Sequence, residues 1–242
     1  MIDPVAVAGC AALAALGGAL VPRLVAAIAE PAPETAETAE TAETAVPPKE
    51  RYHDIAALPG LAWKASLAAG ASGGILGLSV GWSWALLFLL PLVPVSVALA
   101  VVDWRTQLLP TRVIAPTYVV VAVLVLACWV LSRDTDDLVR AGAGWLIAGG
   151  SFFVLWFVHP RGLGYGDVRL SGILGIALGY LGWSELLVGL YAGFLLGGLG
   201  GGLLSVLRVV DRRSFPFGPF MLVGALAGVA VGERIVDGLV LR

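Results

Sequence analysis

Residues 82–110 read WSWALLFLLPLVPVSVALAVVDWRTQLLP. No side chain from Trp82 to Val102 is charged, and the run matches the roughly 20 apolar residues that carry a helix across a hydrocarbon core. Pro91 and Pro94 lie inside it and are expected to kink the helix. Asp103 closes the run, with Arg105 and then Pro110 behind it. A carboxylate at the end of a membrane helix is costly to hold there, which makes it a functional suspect.

Seven other windows have the same character: Val5–Ile28, Leu61–Val80, Val113–Leu131, Leu138–Val158, Val168–Leu181, Leu186–Val209 and Phe217–Val231. The windows at 168–181 and 217–231 are short, so their ends should run into polar residues or tilt little. Trp82 and Trp84 suit a tight interfacial turn after Gly81. The pattern predicts an all-α polytopic membrane protein with about eight transmembrane helices. Its expected parts are a first transmembrane helix in 1–29, a linker at 30–60 and a seven-helix core over 61–242.

Composition points the same way. The chain is 59% apolar and 13% charged, with mean hydropathy +0.92; soluble domains run near about 45–50% and about 25%. Ten charged residues crowd between Glu30 and Lys64, so the remainder is too poor in charge for a soluble enzyme or a nucleic-acid binder. Cys10 and Cys128 sit in apolar runs, and His53 and His159 have no ligand-like neighbours, so neither a disulfide framework nor a zinc site is expected. Any metal site would have to be built from carboxylates.

Lysine and arginine set the expected orientation. In an eight-span reading, Arg23, Lys49, Arg51, Lys64, Arg105, Arg112, Arg161, Arg169, Arg208, Arg212 and Arg213 share one side. Arg133, Arg140, Arg234 and Arg242 lie opposite, with the acidic cluster Asp134, Asp136 and Asp137. The positive-inside rule then puts both termini outside and the loops at 30–60, 103–112, 159–167 and 208–216 in the cytoplasm. Ala27-Ile28-Ala29 has the look of a signal-peptidase site and Val7-Ala8-Gly9-Cys10 faintly that of a lipoprotein box. Asp3 and the lack of basic residues ahead of the apolar run argue for a retained first span. The Glu-Thr-Ala repeat from Glu34 to Ala45, flanked by prolines, reads as a solvated, unstructured acidic spacer. Its five glutamates, Glu30, Glu34, Glu37, Glu40 and Glu43, offer a weaker second reading as an attractor for a basic segment.

Two carboxylates fall on the cytoplasmic side: Asp103, and Asp167 in Gly164-Tyr165-Gly166-Asp167-Val168. Singly, Asp103 reads as a solvated span end and Asp167 as a helix N-cap. As a pair on different helices they can share one proton. The ionised partner would activate water, and the protonated one would polarise a carbonyl. Glycines beside Asp167 would let a substrate backbone approach. The same two aspartates also fit a proton-coupled transporter, although its carriers should lie nearer the bilayer midplane.

The motif residues resemble those of the type IV prepilin peptidases. Gly164-Tyr165-Gly166-Asp167 with Val168-Arg169-Leu170 is similar to their Gly-x-Gly-Asp motif, usually continued Val-Lys-Leu. Asp103 seven residues before Pro110 is similar to their first aspartate motif. Pro216-Phe217-Gly218-Pro219-Phe220 is similar to the run that opens their last span. The resemblance covers roughly residues 60–235. It implies a membrane aspartyl protease that removes the short basic leader from prepilin or pseudopilin precursors at the cytoplasmic face of a bacterial inner membrane. Asp103 and Asp167 would be the catalytic pair, with Gly164, Gly166, Pro110, Pro216, Gly218 and Pro219 as structural members of the site. Partners would be the precursor and membrane lipid, with no nucleic acid. A general intramembrane protease is the neighbouring alternative.

Three departures from that pattern stand out. Thr111 replaces the Asp or Asn common after the proline, and Arg169 replaces Lys. The stretch that carries a cysteine-rich insert in bifunctional relatives holds the Glu-Thr-Ala repeat and no cysteine, so N-methylation and S-adenosylmethionine binding are not expected, and no cofactor is. Glycine stripes at Gly70, Gly73, Gly74 and Gly77, and at Gly193, Gly197, Gly198, Gly200, Gly201 and Gly202, read as close helix packing within the chain. His159-Pro160-Arg161 reads as an interfacial loop, and Asp211 as a local partner of the arginines at 208, 212 and 213.

Overall fold

Asp3 starts the first helix. Its carboxylate accepts the amides of Val5 and Ala6 at 2.9 and 3.3 Å, and Pro4 fills the first turn, where no amide bond is lost. A computed structural model describes residues 3–30, 50–160, 162–206 and 216–240. Helix α1 (Pro4–Ala19) stops at Leu20, and α2 (Val21–Ala26) restarts at once. Pro22 has no amide to give the preceding turn, so the expected single span Val5–Ile28 is two helices.

The remaining helices are α3 (Tyr52–Ala56), α4 (Leu61–Val80), α5 (Leu86–Thr106), α6 (Thr111–Ser132), α7 (Thr135–Val158), α8 (Tyr165–Leu181), α9 (Trp183–Val206) and α10 (Gly218–Val240). No strand occurs among the described residues. The stretch from Pro4 to Ala26 together with α5, α6, α7, α9 and α10 are long and apolar enough to cross a membrane. Adding α4, 20 residues long, and α8, 17 residues long, yields about eight spans. The chain is an all-helical polytopic membrane protein. Helix α8 tolerates its shortness because it is the interior helix: twelve of its residues are buried. At about 1.5 Å per residue it still covers about 25 Å. Helix α10 is longer than its window at 217–231, and α5 stays helical through Pro91 and Pro94.

Part of the stretch read as linker packs against the bundle. Tyr52 and Ile55 on α3 are buried with Val21, Val25, Ile28, Ala98 and Val102, while Glu30 accepts the amides of Tyr52 and His53 at 3.1 and 3.0 Å. That remote carboxylate supplies the cap that Arg51 lacks. The repeat at 34–45 and Lys49, Arg161, Arg208, Asp211, Arg212, Arg213 and Arg242 lie outside the described residues.

Three antiparallel pairs build the bundle, α1 with α4, α7 with α8, and α9 with α10. Each relies on glycine at the contact. A Cβ on Gly73 would stand 2.4 Å from the Cys10 carbonyl oxygen, one on Gly144 2.2 Å from that of Gly175, and one on Gly224 2.3 Å from the Gly193 nitrogen. Backbones this close gain dispersion contacts that lipid chains cannot supply. The stripe over 70–77 therefore packs as its spacing anticipates. In α9 the contact runs through Gly189 and Gly193, whereas Gly197 and Gly200 face the rings of Phe217 and Phe220 and Gly198 meets nothing.

Left-handed caps at Gln107 (φ 54°) and Arg133 (φ 60°) end α5 and α6. Asp134 then caps α7 by accepting the amides of Asp136 and Asp137 at 3.0 and 3.4 Å. Strict alternation of the spans gathers the end of α5, the start of α6, the end of α7 and the starts of α8 and α10 at one end of the bundle.

Candidate active site

Both suspect aspartates lie at that end, and both are buried. Asp103 sits inside the last turn of α5, 4% exposed, and Asp167 in the first turn of α8, 8% exposed. Gly166, next to Asp167, packs against Leu109, six residues beyond Asp103, so the segments carrying the two sequence-predicted residues meet at one end of the bundle across 64 positions of chain.

Each carboxylate accepts one backbone amide through Oδ2. Asp167 accepts that of Gly164 at 3.2 Å. Asp167 is the third residue of α8 and Gly164 its N-cap, so this is the reach-back half of a capping box, the glycine having no side chain for the other half. The simple N-cap reading of Asp167 is therefore displaced by three residues. Asp103 accepts the amide of Gly218 at 2.9 Å, across 115 positions of sequence. Gly218 opens α10, so Asp103 trades the unfavourable negative end of its own helix for the positive end of another. Neither carboxylate makes a further hydrogen bond to a described residue.

The motif residues lie around this arrangement. A Cβ on Gly218 would lie 2.8 Å from Asp103 Oδ2, and one on Gly164 3.1 Å from Asp167 Oδ2. A Cβ on Gly166 would lie 2.7 Å from the Cβ of Leu109, so the two aspartate motifs touch through a glycine and a leucine. Pro110 is the N-cap of α6, its carbonyl accepting the amides of Val113 and Ile114 at 3.0 and 3.2 Å. Pro216 is buried, Pro219 occupies the first turn of α10, and Phe217 packs its ring 6.1 Å from Phe152 and 5.8 Å from Phe194.

Two contacts were not legible in sequence as contacts. Arg169 donates to the Thr111 hydroxyl and lies 4.9 Å over the Tyr165 ring, while its carbonyl accepts the Tyr118 hydroxyl at 2.7 Å. Thr111 and Arg169 are the two positions that depart from the motif pattern, and that shared departure was the available signal. Arg105 forms a two-pronged ion pair with Glu50 at 2.6 and 2.7 Å, which ties the α3 segment to the helix carrying Asp103. The hydrogen bond from Arg105 holds the Glu50 carboxyl below its usual range. His159 is exposed, with Gly162 donating its amide to the His159 carbonyl at 2.9 Å.

The sequence profile of the type IV leader peptidase family matches residues 90–202, a stretch that contains both aspartates. The chain is 33% identical over 132 residues to the prepilin leader peptidase/N-methyltransferase of Escherichia coli K12, covering 53% of this chain and 56% of that one. Against the Pseudomonas putida protein of the same name the identity is 30% over 170 residues, 66% of this chain and 57% of that one. Leader peptidase HopD of Escherichia coli is 34% identical over 152 residues, 60% of this chain and 91% of HopD. The chain thus spans a little over half the length of the first two relatives. No solved structure matches it significantly.

Proposed function

Since this chain belongs to the type IV leader peptidase family, we propose that it is an aspartyl endopeptidase of a bacterial inner membrane. Its reaction would be removal of the short basic leader from type IV prepilin or pseudopilin-like precursors. The observation that carries the proposal is the pairing of Asp103 and Asp167, buried at one end of the bundle with one backbone amide each.

The chemistry follows from two interacting carboxylates. Repulsion favours a state in which one is ionised and the other protonated. The ionised one takes a proton from water as the water oxygen bonds to the scissile carbonyl carbon, and the protonated one donates toward the carbonyl oxygen. Collapse of the tetrahedral adduct breaks the C–N bond, and the departing amine leaves with a proton from the pair. The roles belong to the pair and not to a named member. Gly164 and Gly218 each give one amide to a carboxylate, and Gly166 lets the segment carrying Asp167 close up against Leu109.

Placement at the cytoplasmic face is supported by charge. Arg23, Arg51, Lys64, Arg105, Arg112 and Arg169 all lie at the end that carries the aspartates. Absence of cysteine from 30–60 supports a peptidase without N-methyltransferase activity. A proton-carrying transporter is less well supported, because Asp103 is in a last turn and Asp167 in a first turn, and neither is at mid-span.

The test is cleavage in liposomes of a precursor with a basic leader, a junction glycine and an apolar helix. Cleavage by wild type, reduced about 100-fold or more by Asp103→Asn and by Asp167→Asn, is the expected result. Cleavage that survives in either variant removes that aspartate from the mechanism, and an inert wild type overturns the peptidase reading.

A further inference from the structure

A cavity of about 460 Å³ runs between α4, α5, α8 and α10. It starts beside the candidate site. Trp104 and Arg105 follow Asp103 directly, and Pro219 follows Gly218, whose amide Asp103 accepts. From there it descends α5 as far as Leu89 and α10 as far as Val229. At about 1.5 Å per residue these edges are about 24 and 15 Å long. Half-exposed Val97, Ala100 and Leu226 on its walls, with exposed Ala68 and Val223, make it a groove open along its length.

We propose that this groove seats the apolar helix of the substrate, the segment that continues into the membrane from the scissile bond. The proposal rests on the peptidase reading and specifies where its substrate lies. Size supports one face of a helix and not a whole one. A helix about 10 Å across and about 15 Å long fills on the order of 1,200 Å³, about two and a half times the cavity. Small side chains at Ala68, Ser72, Ala100, Ala177 and Ala225 let another backbone come close. The Ser72 hydroxyl is turned back on its own helix, donating to the Ala68 carbonyl at 2.9 Å.

The charges at the mouth argue for a protein helix over a phospholipid. Among the described residues that line the groove Arg105 is the one cation, and Glu50 holds it through both prongs of its guanidinium, so it is not free to grip a phosphate. Continuity does the rest: the end of the groove is formed by Trp104 and Pro219, the chain neighbours of Asp103 and Gly218, although neither aspartate lines the groove itself.

Two arms test this in liposomes with the full chain. In the first, a photoreactive phenylalanine is placed at successive turns of the precursor's apolar helix, with Asp167→Asn used to retain the bound precursor. Adducts on α5 and α10 at Ala100 and Leu226 are expected. Adducts on the outward faces of α6 or α7, at Val123 or Val154, or on lipid alone would overturn the proposal. In the second, Ala68→Phe and Ala100→Phe are compared with wild type and with Val123→Phe, which lies far outside the groove. The measure is kcat/KM for the helix-bearing precursor divided by that for a leader-and-junction peptide without the helix. That ratio should fall at least tenfold in the two groove variants and stay within twofold in Val123→Phe. An unchanged ratio in the groove variants overturns the groove. A wild type that cleaves neither substrate instead overturns the peptidase reading and leaves the adduct map to judge the groove.

Discussion

Gly218→Ala separates the chemistry of the site from its stability. The substituted methyl would stand 2.8 Å from Asp103 Oδ2 and 3.3 Å from its Cγ, so the carboxylate must rotate off the Gly218 amide. Gly218 does not have positive φ, and alanine therefore adopts the same backbone without strain. Alanine in a helix is favoured over glycine by up to about 1 kcal/mol, which offsets part of the cost of the displaced contact. In the state in which Asp103 is the ionised member of the pair, an amide N–H hydrogen bond to it contributes about 1.5–3 kcal/mol. If that bond positions Asp103 for reaction, its loss lowers kcat/KM by about 10- to 100-fold at 1.36 kcal/mol per decade. The assay pairs leader cleavage in liposomes with thermal unfolding in detergent. Activity should fall by that factor while the unfolding midpoint moves by no more than a few degrees. Full activity in Gly218→Ala would show that the amide does not position the carboxylate. A matching collapse of the midpoint would show that the residue acts through the fold alone.

The other predictions concern the supports around the pair. Gly166→Ala drives a methyl to 2.7 Å from the Leu109 Cβ and should cost about 1–3 kcal/mol of stability. Chemical denaturation should show this, with part of the loss restored in the double variant Gly166→Ala, Leu109→Ala. Gly144→Leu forces a side chain into the Gly175 carbonyl, where even a Cβ would be 2.2 Å away, and should separate α7 from α8. Loss of the folded form in a detergent thermal scan is the readout, and an unchanged midpoint would refute the close approach. Glu50 is held below its usual range by Arg105, so the ion pair stabilises the fold above the ordinary glutamate range and is lost as pH falls through the lowered value. With both side chains partly exposed, at 43% for Arg105 and 28% for Glu50, Glu50→Gln should cost under about 1 kcal/mol at pH 7. That difference from wild type should shrink toward zero in acid; a constant difference from pH 7 to pH 3 would count against the pair.

Legibility varied by residue for physical reasons. The span at 61–80 was read to the residue, because a glycine turn bounds it at each end. The first span was read as continuous because its apolar run passes straight over Pro22, where only the backbone registers the break. Tyr52 and Ile55 were missed, since a single helical turn between polar neighbours has too few apolar positions to show a period, and its cap comes from Glu30, 22 residues away. At the site, Asp103 and Asp167 stood out because a carboxylate at a span end is rare and costly. The partner of Asp103 did not, because Gly218 has no side chain to betray it and acts through its amide.

Sequence alone determined the all-helical membrane class, the approximate spans and the pair of aspartates on a shared side, since each depends on hydropathy and charge counted along the chain. Tertiary structure decided what those aspartates touch. Backbones meeting at Gly144 and Gly175 and at Gly193 and Gly224 fix how α8 and α10 sit in the bundle, and only that packing sets Gly166 against Leu109 and the Gly218 amide on the Asp103 carboxylate. Hydropathy is a property of each segment, whereas a contact across 115 positions depends on the shape of every helix between.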